Sequence, residues 1–357
     1  MRRPAKVMDR DARPEVVAVL DELVAPAVAA AVPEPGIDPA IWDRVLVGMA
    51  RELLARPGKG IRARLVELAF ELAGGAGAPP PAVRQLVELV HAGSLIVDDV
   101  QDGALRRRGG PALHHVCGTP LAINTGNWLY FAAYHLIDDA GLPDGAALEV
   151  HRRLTRALRH GHQGQALDLA IDVTELRQRE VADLADAAAA LKTGELMSFA
   201  AELGGIAAGA PPEVLAALAG FGIALGVGLQ HLDDLGGLCN GRRRDKGRED
   251  LAGRRLTWPW AYLARELDEV RFAKLQRRLR DAGKGERNGI DEIDALGAPD
   301  ALDALAAELA ELLGDGARRR ASARLGDARA RLEAAFPGHA ALAKVDAALA
   351  VLERDAG

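Results

Sequence analysis

Aromatic side chains make up only 4% of the 357 residues, and cysteine occurs twice, at Cys117 and Cys239. Two thiols so far apart exclude a disulfide scaffold and a thiolate zinc site, and they are expected to be buried or spectator groups. Ile, Tyr and Phe are few and no alternating apolar pattern of useful length occurs, which argues against sheet. A formal net charge of -6, with basic residues scattered except at two Arg runs, gives no support to nucleic-acid binding. No stretch is read as approaching the roughly 20 apolar residues that span a bilayer. The N-terminal MRRPAKVMDRDARPEVV is basic, but no apolar region follows it, so no secretory signal is read and a cytoplasmic location is expected.

What is abundant is helix former: Ala, Leu, Arg and Glu, within a chain that is 49% hydrophobic. That much apolar residue over this length builds one large or two medium domains. Helical periodicity runs from Pro14 onward, punctuated at Pro33–Gly36, Gly74–Pro81 and Gly204–Pro212. It predicts helices over 15–32, 38–55, 60–74, 82–101, 119–138, 145–171, 178–203, 212–236, 257–282 and, with internal breaks, 298–352. Residues 1–13 are expected to fray and 283–300 to form a mobile, charged connection. The segment Val214–Leu232 is apolar on most of its circumference and must be covered by other helices. The expected fold is therefore all-α, a single large helical bundle over 1–357 around a central apolar cavity, with ligands bound in its core.

Two acidic pairs close apolar helical runs. In SLIVDDVQD, Asp98 and Asp102 are four apart and project from one face, so both carboxylates can reach one cation; GLQHLDDLGG offers Asp233, with Asp234, from a second helix. Carboxylates are the hard oxygen ligands Mg²⁺ takes, and it keeps positions for water and substrate phosphates. Arg106-Arg107-Arg108 follows the first pair, and guanidinium forks grip phosphate oxygens. A metal diphosphate needs both kinds of charge; a solvated helix end needs neither.

Other residues carry weaker signals. Lys59 and Arg62 lie three apart at a helix start, a place that attracts anions, though a solvated basic turn reads the same way. His91 sits two turns before Asp98 on the same side, where a lone histidine is commonly a core residue. Lys192-Thr193-Gly194 interrupts an apolar helix, a costly position for an ammonium without an anion. Gln230 shares the face of Asp233, and Lys246, Arg254 and Arg255 form a basic segment able to close over a diphosphate; Arg242–Arg244 reads as a solvated loop.

The motifs GKxxR, HxxSLxxDDxxD, LRRRGxP, GQxxD (Gly164, Gln165, Asp168), KTG and QxxDD occur in this order over about residues 50–262. Together they resemble the trans-isoprenyl diphosphate synthase (polyprenyl synthetase) family. PLAINTGNWLYF, HQGQALDL and DLAGRRLTWP are most similar to its eukaryotic-type geranylgeranyl diphosphate synthases. The resemblance implies a cytoplasmic prenyltransferase condensing isopentenyl diphosphate with dimethylallyl, geranyl or farnesyl diphosphate. It implies Mg²⁺, three ions with substrate bound, on Asp98, Asp102 and Asp233, with Asp99 and Asp234 supporting. Lys59, Arg62, His91 and Arg108 would hold isopentenyl diphosphate; Arg107, Lys192, Thr193 and Gln230 would face the allylic substrate, and Lys246 and Arg255 its diphosphate. Product length would be set below Asp98, first at Gly93 and Ser94, both small, and then at Tyr130, Phe131, Tyr134 or His135, which predicts a C20 product. The aromatic-rich helix INTGNWLYFAAYHLI would pack across a homodimer.

The chain departs from the family pattern in places. Gly237 replaces the fifth-position Asp of the second motif, Gly60 a Lys or Arg, Gly110 and Ala112 the usual Lys and Thr, and Arg255 a Lys. The altered second motif keeps two alternatives in view, a class I terpene cyclase on the same bundle and a non-catalytic partner subunit. Retention of Lys59, Arg62, His91 and Arg108 argues against the first, and an intact first acidic motif against the second.

Overall fold

A computed structural model of the chain describes residues 20, 38–239, 244–287 and 301–356. The helix expected at 15–32 apart from Leu20, the frayed 1–13, residues 242–243 of the Arg run and 288–300 of the expected connection lie outside the described residues. The architecture is all-α, as expected, apart from one short hairpin.

The chain divides into two compact units, Met1–Arg152 with Leu203–Ala210, and Arg153–Glu202 with Pro211–Gly357. The first unit contains α1 (Gly48–Ala55), α2 (Ile61–Leu72), α3 (Pro81–Asp102), β1 (Arg106–Arg107), β2 (Gly110–Pro111), α4 (Leu113–Cys117) and α5 (Thr119–Asp139). A helical turn at Pro39–Trp42 and a π-helical turn at Asp43–Val47 precede α1. Helix α3 starts on Pro81, whose missing N–H costs nothing in the first turn, and stops at Gly103 in a left-handed C-cap (φ 63°). It packs closely on α5, and both helices are buried along their length, α3 at Leu86, Leu89 and Ile96 and α5 at Leu129, Ala133 and Leu136. The two backbones nearly touch: a Cβ on Gly93 would lie 2.7 Å from Gly126 O and 3.2 Å from the Tyr130 ring.

Helix α6 (Asp144–Ala170) begins in the first unit and continues in the second; α7 (Gln178–Ala189), a π-helical turn (Ala190–Gly194) and α8 (Glu195–Ala207), assigned to the first unit from Leu203, form one continuous helical run. Then come α9 (Pro212–Cys239), α10 (Arg244–Ala252), α11 (Trp258–Glu266), α12 (Glu269–Arg287), α13 (Ala301–Ala335, kinked at Gly314) and α14 (Leu342–Ala356). Helix α9 is packed chiefly by α13, close enough that a Cβ on Gly228 would stand 2.6 Å from the Leu325 side chain. By length and hydropathy α9 could cross a membrane, which corrects the expectation that no stretch approaches that length. Glu202 is buried on α8 and accepts from Arg153 and, at 2.5 Å, from Arg156; Arg156 Nε and His160 Nδ1 stand 3.5 and 3.2 Å from Glu195.

Three local expectations fail. The stretch 257–282 is two helices, Arg244 opens a helix instead of lying in a loop, and residues 283–287 of the expected connection belong to α12, while 106–111, for which no element was expected, form a hairpin. Cys239 is exposed and Cys117 half-buried, so neither thiol is a core residue.

Candidate active site

In the first unit, Asp98 and Asp102 fall one turn apart on the last turns of α3, Asp98 half-buried and Asp102 exposed. Asp99 turns inward. It is buried and accepts from Arg107 Nε at 2.8 Å and from the same guanidinium's Nη2. Burial raises the Asp99 carboxyl above its ordinary value despite Arg107, while Asp99, Asp98 and Asp102 together outweigh burial and raise Arg107. Arg107 is thus committed to holding the acidic segment; the ligand-facing role expected of it is at most shared.

Arg107 and Arg108 reach their positions through the hairpin. Arg107 pairs with Gly110 and Arg106 with Pro111, and the two residues between, Arg108 (φ 50°) and Gly109 (φ 82°), both have positive φ, as a two-residue type I′ loop requires. A left-handed arginine is uncommon, and here it is over-determined by its clamp. Buried Arg56 donates to Arg107 O and Pro111 O, each at 2.8 Å, and pairs with Glu52. A Cβ on Gly110 would meet Arg56 Cζ at 2.7 Å, so the departure from Lys at this position makes room for the clamp.

Arg108 lies against Gly58, where a Cβ would stand 3.1 Å from its guanidinium carbon. Lys59 is exposed just ahead of α2, and Gly60 caps that helix at φ 58°, a conformation strained for the Lys or Arg it replaces. Arg62 is pulled down to about 10, first by burial and then by Arg108, with Glu88 opposing. His91 is held well below its ordinary value by burial and then by Arg62, Arg108 and Arg107, so it is neutral. Arg62 Nε is buried without a hydrogen-bond partner among the described residues. Three cations crowded around a neutral histidine are a repulsive arrangement that an anion relieves.

The chain-length residues divide. Ser94 is half-buried and donates to His91 O at 2.8 Å. Tyr130 is buried, its hydroxyl raised well above the usual range by burial and by Asp98. Gly93 is not a wall of open space, because its face is filled by Gly126 and Tyr130; that expectation is corrected. Phe131 is 72% exposed and His135 is exposed, so neither is a buried stop, while Tyr134 is half-buried and stacks on His151 at 5.6 Å.

In the second unit the predicted residues also meet one another. Lys192 Nζ reaches Asp168 Oδ2 at 2.6 Å, and Thr193 donates to Gln230 Oε1 at 2.8 Å. Gln230 Nε2 donates to Asp234 Oδ1 at 2.7 Å, and the Trp258 N–H to Asp234 Oδ2 at 2.9 Å. Asp234 is buried and raised by that burial, an anchor between α9 and α11. Asp233 is half-buried and pairs with Lys246, whose ammonium is held well above its ordinary value by Asp233, Asp234 and Asp250 against burial. Arg255 donates to Asp168 O at 2.7 Å, and Arg254, also left-handed, to Asp172 at 2.8 Å.

Sequence reasoning missed Asp250. Burial, with Asp234 and Asp168, raises it to about 7, and its Oδ2 would lie 4.0 Å from a Cβ on Gly237, the position of the absent acid. Its place in DLAGRRLTWP was the available signal.

No group of three or more metal-ligating side chains occurs among the described residues. Paired carboxylates without a closed cage fit Mg²⁺, which takes one or two protein carboxylates and completes its shell with water and phosphate oxygens.

The polyprenyl synthetase family model matches residues 43–293. A (2E,6E)-farnesyl diphosphate synthase of Mycobacterium bovis is 33% identical over 270 residues, 74% of this chain and 68% of that one. A geranylgeranyl pyrophosphate synthase of Zymoseptoria tritici is 31% identical over 64% of this chain and 67% of its own. The crystal structure of a Caulobacter crescentus polyprenyl synthase, complexed with calcium and isoprenyl diphosphate, superposes with TM-score 0.69 at 27% identity, covering 95% of this chain and 97% of that one.

Proposed function

Because the chain belongs to the polyprenyl synthetase family and is a prenyltransferase, we propose that it condenses isopentenyl diphosphate with an allylic diphosphate, using Mg²⁺, in the cytoplasm. The observation that carries this reading is the crowding of Arg62, His91 and Arg108 beside the acid-bearing end of α3, with Arg62 Nε buried and unpartnered. Such a cradle is built for a diphosphate.

In this reading Lys59, Arg62, His91 and Arg108 hold isopentenyl diphosphate, neutral His91 offering one N–H. Lys192, Thr193, Gln230, Lys246 and Arg255 hold the allylic diphosphate, with Arg107 orienting Asp99. Asp98, Asp102 and Asp233 are the metal ligands, and Asp250 supports Asp233 through Lys246. Bound Mg²⁺ supplies positive charge to the leaving diphosphate. The allylic C–O bond breaks with its electron pair leaving on pyrophosphate, whose growing charge the basic residues stabilise. The isopentenyl alkene then forms the new C–C bond, and a proton leaves to the released pyrophosphate. No side-chain nucleophile is needed.

The proposed product is C20. Ser94 is small where a bulky residue would stop a shorter chain, and buried Tyr130, whose ring lies beside Gly93, is the stop in this reading. Exposed Leu121, Ile123 and Phe131 on α5, with Leu105 and Val116 nearby in sequence, support a homodimer. Incubation with isopentenyl diphosphate, Mg²⁺ and each allylic diphosphate, followed by product sizing, tests the reading. Elongation lost in Asp98→Ala and Asp102→Ala with little loss of melting temperature is expected. Cyclised product without isopentenyl diphosphate, or no turnover by the wild type, would overturn it.

A further inference from the structure

The second unit contains a further cluster that the substrate reading does not use. His231 lies two residues before Asp233 but turns away from the Gln230–Asp234 bond, and it is 1% exposed. Its ring stacks on Trp258 at 4.9 Å. Its Nε2 is 3.2 Å from Asp186 Oδ1 but off the line of a hydrogen bond, and Nδ1 has no partner among the described residues. It lines a cavity of about 320 Å³ together with Trp258, Arg265, Arg320 and Arg324.

Three guanidinium groups therefore converge on one cavity from α11 and α13. Arg265 and Arg324 share Asp186 Oδ2, at 2.9 and 3.3 Å. Arg320 pairs with Glu266 at 2.7 Å and lies 5.8 Å over the Tyr262 ring. Burial works against the Asp186 charge, but His231 and Arg265 outweigh it and hold the carboxyl at about 2, so Asp186 is an anion throughout the physiological range. Among the described residues the three guanidinium groups share two carboxylates, Asp186 and Glu266. Ion pairs this exposed are weak, and they leave the forks available to a stronger partner. Arginine forks around a half-open cavity match the geometry of phosphate oxygens, and the buried His231 ring forms part of the cavity wall.

We propose that this cavity is an anion site for a phosphate or diphosphate group, separate from the substrate-binding residues. Trp258 ties it to the second acidic segment: its indole walls the cavity, while its N–H holds Asp234. An occupant thus braces the start of α11, where Asp234 is anchored.

The test is calorimetric titration of the full chain, in EDTA, with inorganic phosphate, pyrophosphate and isopentenyl diphosphate. Three proteins are compared: the wild type, an Arg320→Gln/Arg324→Gln variant and an Arg62→Gln/Arg108→Gln variant. The proposal expects one binding event that survives in the second variant and weakens at least about tenfold in the first. A preference for inorganic phosphate identifies the free ion as the source; a preference for pyrophosphate or the ester identifies a diphosphate group. Because the substituted arginines are about half exposed, the first variant is expected to melt close to the wild type without ligand, and Arg265→Gln provides a second route to the same loss. Binding equal in the wild type and in both cavity variants, or no event beyond that lost with Arg62 and Arg108, would overturn the proposal. Neither result depends on turnover, so failure here leaves the prenyltransferase reading untouched.

Discussion

Restoring the acid at Gly237 should harm this protein rather than improve its metal site. A Cβ at Gly237 would lie 3.3 Å from Gly247 Cα and 3.4 Å from Gly247 N, so α10 crosses α9 at a glycine pair, and backbone atoms cannot swing aside as a flexible side chain can. Overpacking of this kind costs about 1–3 kcal/mol. The new carboxylate would also stand one turn from Asp233 and beside Asp250, adding about 0.2–0.5 kcal/mol of like-charge repulsion per neighbour. Gly237→Asp should therefore lose about 1.5–4 kcal/mol, a fall of roughly 3–15 °C in melting temperature for a unit of this size. Gly237→Ala separates the two causes, and its sign is informative. In an open helix position Ala would stabilise by up to about 1 kcal/mol over Gly, whereas the glycine crossing makes it destabilising. Thermal melts by circular dichroism and Mg²⁺ titrations with pyrophosphate present are the measurements. A Gly237→Asp protein that is as stable as the wild type and binds Mg²⁺ more tightly would refute the reasoning.

Arg56→Ala leaves two carbonyls of the Arg106–Pro111 hairpin unsatisfied and should cost about 2–3 kcal/mol, with faster hydrogen exchange over 106–111; unchanged protection there would remove the clamp. Gly93→Ala should lose about 1–3 kcal/mol by pressing on Gly126 and Tyr130, and Gly93→Phe should scarcely fold. A stable Gly93→Phe enzyme with a shortened product would restore the chain-length role expected from sequence. Unfolded His91 takes a proton near pH 6.5 while the folded residue stays neutral, so its contribution is intact above that pH and is lost as the pH falls below it. His91→Gln should therefore gain on the wild type in urea titrations between pH 7 and pH 5, and a pH-independent difference would contradict the buried, cation-flanked setting.

The long helices were legible because a continuous apolar stripe announces itself: α3, α5, α6 and α9 lie within a few residues of their expected bounds. The misses are local and have physical causes. The hairpin at 106–111 was not anticipated because nothing in composition reveals a left-handed arginine held by a clamp fifty residues upstream. The break between α11 and α12 was signalled by Asp268, whose carboxylate caps the Arg271 N–H at 2.9 Å, but the surrounding periodicity masked it. Helix α10 is too polar to show a stripe. At the site, motif spacing picked out the candidate acids and bases except Asp250, but not which carboxylates are anchors. Asp99 and Asp234 are consumed by internal hydrogen bonds, and Asp250 lies on a different helix from the pair it flanks.

The π-helical turn at Ala190–Gly194 holds one residue more than an α-helical turn would. In genetic terms it is one codon more than an unbroken α-helix would need. Each residue of an α-helix advances about 100°, so an in-frame deletion there would straighten the run but swing Glu195 and Glu202 off Arg156 and Arg153. Length in this stretch is therefore under tighter constraint than composition, and losing a codon should be more damaging than most substitutions at the same positions.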